Sequence, residues 1–337
     1  MDLRQLEYTV AVAEELSFTR AAARCHIVQS GLSYQIARLE RELGTPLFER
    51  TSRSVRLTPA GELLLPHARR VLGDLESATA EISALTGLVQ GNLRLGVIPV
   101  NHGSVVLPAV LQRYHRRYPA VDVIVSDTGS VAMVTMLLAG TLDAAFLGLF
   151  ADQLPAGLAH RVVTIEPLVA IVDEASPCAG RTSADLRELA ATSSFIDCHH
   201  DSGLRTQVDL AFARARVTRH VSFELGNLLD VARMAALGLG VAIVPASVAH
   251  AIPDPGGRFS VVRLTDPLAL QPVNLVFRDP APGSPAARAF IDLFAETDLA
   301  AFRQVIGANP DPAGESSGSD RGASRYPGRA GGSTLET

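Results

Sequence analysis

The chain of 337 residues contains no lysine and no tryptophan, because arginine accounts for all 30 of its Lys+Arg residues. The absence of lysine excludes chemistry that needs an amine side chain, such as Schiff bases, phosphate binding by a P-loop and the ion pair of kinases. Only three cysteines are present, Cys25, Cys178 and Cys198. This odd and sparse set excludes a disulfide framework and indicates reduced thiols.

Long apolar runs and a secretion signal are also missing. No window approaches about 18 uninterrupted apolar residues, and the N-terminus lacks a positive region followed by an apolar core. With 47% hydrophobic and 19% charged residues, the composition is that of an ordinary soluble protein of two or perhaps three domains. We therefore expect a cytoplasmic protein that does not bind a membrane.

The segment 17–44 has the pattern of two helices joined by a tight turn. Ser17 is a favoured N-cap residue ahead of strong helix formers. A second helix is predicted from about Ser30 to Leu43, where Gly44 ends it. At 100° per residue, four apolar residues share one face, predicted to be buried: Leu32, Ile36, Leu39 and Leu43. The opposite face carries Ser30, Tyr34, Ala37, Arg38 and Arg41, with Ser33 on its flank.

This opposite face has two interpretations. Charged residues on a helix usually mean only a solvated face, but the preceding helix and turn favour a recognition helix that reads DNA. Short polar side chains near its N-terminus suit base edges and phosphates, and Arg38 and Arg41 suit phosphates or guanine.

The next segment, 47–57, is predicted to be a basic hairpin. Its two apolar ends flank a polar turn, and Arg50, Arg53 and Arg56 against Glu49 alone give a local charge of +2. A basic hairpin beside a recognition helix is typical of a wing that enters the minor groove. Because the whole chain has a net charge of −5, only this local distribution of charge indicates DNA binding.

A long helix is predicted to follow the hairpin. Thr58 is suited to cap it and Pro59 to occupy its first position. Apolar residues then recur in steps of four and three, as at the a and d positions of a coiled coil: Leu64, Ala68, Val71, Leu75, Ala78, Ile82 and Leu85. The alternative is a helix packed on its own domain, but the narrow seam favours a dimerisation helix that also links two domains.

Beyond Gly91 the pattern changes to short apolar strands that alternate with helical stretches, which predicts an α/β domain with parallel strands. Examples of the strands are 93–98, 121–125 and 142–147. The last stretch, 309–337, is rich in Gly, Ser, Pro and Ala and is predicted to be a disordered tail.

The chain resembles the LysR-type transcriptional regulators. The N-terminal match lies in ELSFTRAAA, QSGLSYQIARLERELGTPLFER and LTPAGELLLPHARRVL, and a looser match continues through GNLRLGVIP, LPAVLQRYHRRYP, AGTLDAAFLG and ALGLGVAIVP. The resemblance implies a winged helix-turn-helix domain (1–58), a linker and dimerisation helix (59–89) and a two-lobed α/β effector domain of the periplasmic-binding-protein type (91–305). Lobe I is expected at about 91–163 and 266–305, and lobe II at about 164–265.

The resemblance also implies partners and contacts. It implies binding to double-stranded promoter DNA as a homodimer or homotetramer, a small-molecule effector between the lobes, contact with RNA polymerase, and no cofactor. The family's DNA contacts fall on Ser17, Gln29, Ser30, Ser33, Tyr34, Arg50 and Arg53, to which the charge pattern adds Arg38, Arg41 and Arg56. Many members have proline at Ser30 and arginine at Tyr34, so the family pattern does not fix the base preference of this chain.

The effector site is expected at the carboxyl ends of the strands of both lobes. In lobe I the candidates follow two strands: Pro99, Val100, Asn101 and His102 after the first, and Thr128, Gly129 and Ser130 after the second, where a helix N-terminus suits a carboxylate. Family members often have Ser or Thr at Val100, so the hydrogen bond there is weakened or shifts to Asn101 or Ser130. In lobe II the candidates are Asp197, His199, His200 and Asn227.

Other functions were weighed against this one. Cys198 beside two histidines suggests a redox sensor with Cys178 as resolving partner, if the histidines lower its pKa, although an unreactive pocket thiol is the simpler interpretation. The cluster lacks the ligand spacing of a metal site. No GxSxG motif is present, and the segment 238–240 lacks the third glycine of a dinucleotide fingerprint. We therefore predict neither an enzyme nor a solute-binding protein.

Overall fold

The computed structural model describes residues 1–50, 54–84, 89–98, 103–253, 258–279 and 284–297. Several predicted features lie outside these residues: the tail at 309–337, Arg53, Leu85 and the four positions 99–102. The N-terminal part consists of α1 (Leu3–Glu15), α2 (Phe18–Arg24), α3 (Gln29–Leu43), β1 (Phe48–Arg50), β2 (Val55–Leu57) and α4 (Pro59–Ala84). The predicted helix-turn-helix, hairpin and long helix are therefore confirmed.

Local sequence signals set the ends of these helices. The Ser17 side chain accepts a hydrogen bond from the Arg20 N–H at 3.3 Å, and Gly44 ends α3 with φ of 72°. Thr58 Oγ1 accepts from the Gly61 N–H at 3.1 Å at the start of α4. One prediction for α3 was wrong: Leu43 is 42% exposed, because the last turn of the helix projects beyond the core formed by Leu32, Ile36 and Leu39.

The rest of the chain forms two lobes. The first contains β3 (Gly91–Val97), α5 (Gly103–Arg117), β4 (Val121–Asp127), α6 (Ser130–Leu138) and β5 (Ala144–Leu147), and β6 (Leu158–Asp173) leads into the second. Lobe II contains β7 (Ser183–Ala184), α7 (Leu186–Thr192), β8 (Phe195–Cys198), α8 (Gly203–Ala215), β9 (Val221–Leu225), α9 (Leu228–Ala236), β10 (Ala242–Pro245), α10 (Ala246–His250) and β11 (Phe259–Leu264). The return strand β12 (Leu270–Arg278) and α11 (Pro285–Ala295) complete lobe I.

The long strand β6 runs through both lobes. Residues 158–167 of β6 pair with β12 in lobe I, and residues 168–173 pair with β10 and β11 in lobe II. In lobe I the parallel strands β4, β3 and β5 complete a sheet in the order β4-β3-β5-β12-β6. The sequence-based lobe boundary at 163–164 falls inside β6, which is one continuous strand. The carboxyl ends of the parallel strands of lobe I face lobe II across a crevice.

Each part has its own apolar core. In lobe I, Tyr114 and Phe290 are fully buried and pack edge to face, with ring centroids 5.4 Å apart. In lobe II, Phe195 and Phe212 are buried and also pack edge to face, with ring centroids 5.3 Å apart. Among the described helices, none is both long enough and apolar enough to span a bilayer.

Candidate DNA-binding surface and ligand cavity

The outer face of α3 is largely exposed. Tyr34 is 61% exposed, and Arg38 and Arg41 are exposed beside it. At the N-terminal end, Gln29 Nε2 donates to Ser33 Oγ at 3.0 Å, which fixes one polar pair on this face. The residues predicted for DNA contact along α3 are thus brought together on one exposed surface.

The N-terminus of α3 adds a second feature to this surface. Its N-cap residue, Val28, provides no side-chain hydrogen bond, so the main-chain N–H groups of the first turn carry no side-chain cap. Ser30 lies exposed in this turn. Uncapped N–H groups at a helix N-terminus attract phosphate. Ser17, by contrast, is partly buried and caps α2.

The hairpin β1–β2 is attached to α3 by a residue that the sequence pattern did not single out. Glu40 Oε1 accepts from the main-chain N–H of Leu47 at 2.9 Å and of Phe48 at 3.2 Å. The Arg50 guanidinium lies 3.6 Å from the other Glu40 oxygen and 4.0 Å over the Phe18 ring. Arg50 therefore stacks at the base of the hairpin, while Arg56 is exposed on β2.

The predicted seam of α4 divides into two parts. Leu64 is half-buried and Ala68 is buried against the N-terminal domain, because α1 packs across the first half of α4. These two residues therefore contact their own chain. The later seam positions are exposed: Val71, Leu75, Ala78 and Ile82.

Ion pairs connect α4 to both of its neighbours. Towards the N-terminal domain, Arg69 pairs with Glu14 at 3.0 Å. Towards lobe I, Glu76 pairs with Arg94 at 2.8 Å and Glu81 with Arg288 at 2.6 Å. Each such surface pair contributes only about 0–1 kcal/mol. Their placement nevertheless orients the linker helix against both domains.

A cavity of about 210 Å³ lies in the crevice between the lobes. Four of the predicted ligand-site residues line it: Thr128, Gly129, Ser130 and His199. Asp201 and Ser202, which the sequence also places after β8 at this crevice, line it as well, whereas sequence reasoning missed Gly203 and Gln271. The N-termini of α6 and α8 both reach this cavity, and neither N-cap, Gly129 or Ser202, makes a side-chain capping bond.

Three predicted ligand residues do not line this cavity. Asp197 is buried and binds Arg219 at 2.6 Å, because its side chain points to the opposite side of β8 from Cys198. His200 is exposed, 3.8 Å from Glu224. Asn227 caps α9, accepting from the Leu229 N–H at 2.9 Å. A position after a strand thus does not determine which way a side chain points.

Cys198 lies in the cavity wall but is only 7% exposed. Burial, reinforced by the charge of Asp197, raises the pKa of its thiol to about 12, although Ser202 and Arg205 act in the opposite direction. The condition for a redox sensor, a thiol pKa lowered by the neighbouring histidines, is therefore not met. A thiol that stays protonated at neutral pH is a poor nucleophile, which argues against a redox sensor at Cys198.

Two protein-family models match the chain. Residues 3–62 match the model described as "Bacterial regulatory helix-turn-helix protein, lysR family". Residues 86–298 match the model described as "LysR substrate binding domain". The two models together cover the helix-turn-helix, the hairpin and both lobes.

Similar proteins of full length point the same way. The HTH-type transcriptional regulator YnfL of Escherichia coli is 36% identical over 73% of this chain and 83% of its own length. The DNA-binding transcriptional dual regulator OxyR of E. coli is 32% identical over 85% of this chain and 91% of its own length.

Solved structures share the architecture. A full-length OxyR variant from Pseudomonas aeruginosa superposes with a TM-score of 0.68 at 27% identity, covering 89% of this chain and 96% of that chain. CbnR in complex with its target DNA superposes with a TM-score of 0.59 at 25% identity, covering 88% and 99%. The chain belongs to the LysR family of transcriptional regulators.

Proposed function

We propose that this regulator binds promoter DNA as a dimer through α3 and the basic hairpin, and that a small molecule in the interlobe cavity changes transcription. The observation that carries the proposal is the exposed surface of α3, with an uncapped N-terminus and a hairpin fixed beside it by Glu40. We propose that it acts in the cytoplasm, without catalysis and without a cofactor.

DNA binding is assigned to two sets of side chains. On α3, Gln29, Ser30, Ser33 and Tyr34 near the N-terminus are placed to approach base edges. Arg38 and Arg41 further along and Arg56 on the hairpin are assigned to phosphates and the minor groove, as is Arg53 from the sequence pattern. Arg50 is assigned a supporting role through Glu40 and Phe18. The similarity to a structure of CbnR with its target DNA supports this mode of binding.

Dimerisation is assigned to the second half of α4. Val71, Leu75, Ala78 and Ile82 form an exposed apolar seam, which a second copy of the helix would cover. Two α3 helices brought together in this way would read half-sites about 34 Å apart. Tetramers, as the family resemblance implies, would add further half-sites.

DNase I footprinting on the DNA upstream of the regulator's own gene tests this arrangement. The proposal predicts two protected half-sites on the same face of the duplex, at about 10 base-pair spacing or a multiple of it. A protected region without dyad symmetry, or no protection, contradicts it.

The effector is proposed to be a small molecule with an anionic group. The cavity of about 210 Å³ limits its size, and the uncapped N-terminus of α8 favours a negative charge. Binding would favour one arrangement of the lobes and so change the angle between the DNA-binding domains through α4. Contact with RNA polymerase at the promoter would then alter transcription.

A cavity-filling variant tests the effector site. Gly226 lines the cavity, and a Cβ placed there would meet only His199 Cε1, at 3.8 Å. Small carboxylic acids that raise the melting temperature of the wild type are expected to have no effect on Gly226→Val. Equal shifts for both proteins would place the ligand elsewhere.

A further inference from the structure

The first turn of α8 touches lobe I so closely that its first residue, Gly203, has no room for a side chain. A Cβ on Gly203 would lie 2.7 Å from the Gly148 carbonyl oxygen, 2.8 Å from Gly148 Cα and 2.7 Å from Ser130 Oγ. Gly148 follows β5 in lobe I, so main chain meets main chain across the crevice. Gly203 has no positive φ, so the close approach to Gly148 and Ser130 alone explains why this position requires glycine.

A second contact lies two residues earlier. The Asp201 carboxylate occupies the space that a Cβ on Gly129 would fill, and its main-chain oxygen would lie 2.7 Å from that atom. The Val131 N–H of α6 donates to the same Asp201 oxygen at 3.4 Å. The carboxylate thus lies at the N-terminus of α6, where the helix dipole favours a negative charge.

The third contact is a buried amide. Gln207, on the second turn of α8, is 4% exposed. Its Nε2 donates to the Gly148 carbonyl oxygen at 3.1 Å and to Gln153 Oε1 at 2.8 Å, both in lobe I. Because buried amides are costly without partners, separating the lobes here would break two hydrogen bonds at once.

We propose that residues 201–207 of lobe II form a latch that holds the two lobes at one angle. Asp201 and Gly203 also line the interlobe cavity, as do their lobe I partners Gly129 and Ser130. Any molecule in the cavity therefore touches the latch. Opening the latch lets the lobes move apart, and this movement is the switch between the two states of the regulator. Only the link to transcription rests on the function proposed above.

Hydrogen–deuterium exchange on the full-length protein tests the latch through Gly203→Ala. The added methyl group forces the lobes apart, so peptides covering 146–153 and 201–210 are expected to exchange about tenfold faster or more. Gly226→Ala is the matched control, because it adds the same methyl group to the same cavity wall, where that group meets only His199 Cε1 at an ordinary contact distance of 3.8 Å. Unchanged exchange in Gly203→Ala, or equal acceleration in both variants, overturns the proposal.

Gln207→Met provides a second test without a steric clash. Methionine keeps the length of the side chain but loses both hydrogen bonds to lobe I, and the same peptides are expected to exchange about fivefold faster or more. Peptides from β6, in the core of both lobes, are expected to stay protected, which distinguishes latch opening from unfolding. Faster exchange of β6 to the same extent contradicts a local latch.

Footprints of the same variants connect the latch to regulation. Without any added ligand, Gly203→Ala is expected to change the length of the DNase I footprint relative to wild type. If the wild type fails to bind DNA, the proposed function fails and the exchange result still decides the latch. If exchange accelerates but the footprint is unchanged, the latch does not control DNA binding.

Discussion

Glu40 on the recognition helix accepts a hydrogen bond from the main-chain N–H of Leu47, at 2.9 Å, where the chain enters the hairpin. The neighbouring Phe48 N–H bonds to the same oxygen at 3.2 Å. One carboxylate thus joins the two elements assigned to DNA, α3 and the hairpin. Both donors are main-chain groups, and the buried side chains of Leu47 and Phe48 add apolar contacts that hold the hairpin on the same core.

Removing this carboxylate is expected to loosen the hairpin. Glu40→Ala leaves two N–H groups without their acceptor, at a cost of about 1–3 kcal/mol, and lowers the melting temperature of the N-terminal domain by roughly 5 °C or more. Differential scanning calorimetry measures the shift. Glu7→Ala removes an exposed carboxylate from α1 and is the control. Equal melting temperatures for the two variants contradict the role of Glu40.

A charge in the exposed seam of α4 is expected to separate the dimer. Ile82→Arg places a guanidinium where an apolar contact with the partner helix is proposed, and it weakens dimerisation by about a hundredfold or more. Multi-angle light scattering across a dilution series measures this. Leu63→Arg makes a similar change at a 71% exposed position of α4 outside the seam and is expected to leave the dimer intact. A stable Ile82→Arg dimer would place the interface elsewhere.

Asp197 is expected to contribute more to the free energy of unfolding than Asp209, although both carboxylates bind Arg219. Burial raises the pKa of the Asp197 carboxyl, and the opposite effect of Arg219 and Arg205 offsets this only in part. Asp197→Asn leaves the buried Arg219 without its inner counter-charge, at a cost of about 3–5 kcal/mol. Asp209→Asn, at a carboxylate that is 52% exposed, is expected to cost less than about 1 kcal/mol. Urea unfolding of both variants measures these costs. Similar urea midpoints for the two variants would contradict the larger role of Asp197.

Cys198 is expected to be inert at neutral pH. With a pKa of about 12, only about one thiol in ten thousand is ionised at pH 8. Iodoacetamide should therefore label the less buried Cys25 first, as mass spectrometry of the native protein would show. Cys198→Ser is expected to leave any peroxide response unchanged. Labelling of Cys198 as fast as Cys25, or loss of a peroxide response, would restore the redox hypothesis.

The N-terminal domain could be predicted from sequence because its signals are local. Two helices begin at residues whose side chains accept a hydrogen bond from three positions further along, Ser17 and Thr58. The helix α3 ends at Gly44 because of the positive φ of that residue. Leu43 was misplaced because periodicity continues to the end of a helix, whereas the core does not. Glu40 was missed because its partners lie seven and eight residues away on a different element.

The crevice could be predicted only in outline. Strand ends located Thr128, Gly129, Ser130 and His199, because the carboxyl ends of strands share one edge of a sheet. The latch could not be predicted from the sequence, because Gln207 and Gly148 are 59 positions apart. A glycine in a sequence also does not indicate which residues pack against it in the fold. Whether a side chain points into the cavity depends on such tertiary contacts.

The salt dependence of DNA binding tests the central claim most directly. Mobility shifts with the DNA upstream of the regulator's own gene, over a range of salt concentrations, give the slope of log K against log salt for three proteins. The wild type is expected to show a steep negative slope, Arg38→Ala a slope smaller by about one unit, and Arg116→Ala, on α5 away from the surface, the wild-type slope. Salt-insensitive binding, or identical behaviour of the two arginine variants, would contradict the assignment of α3 to DNA.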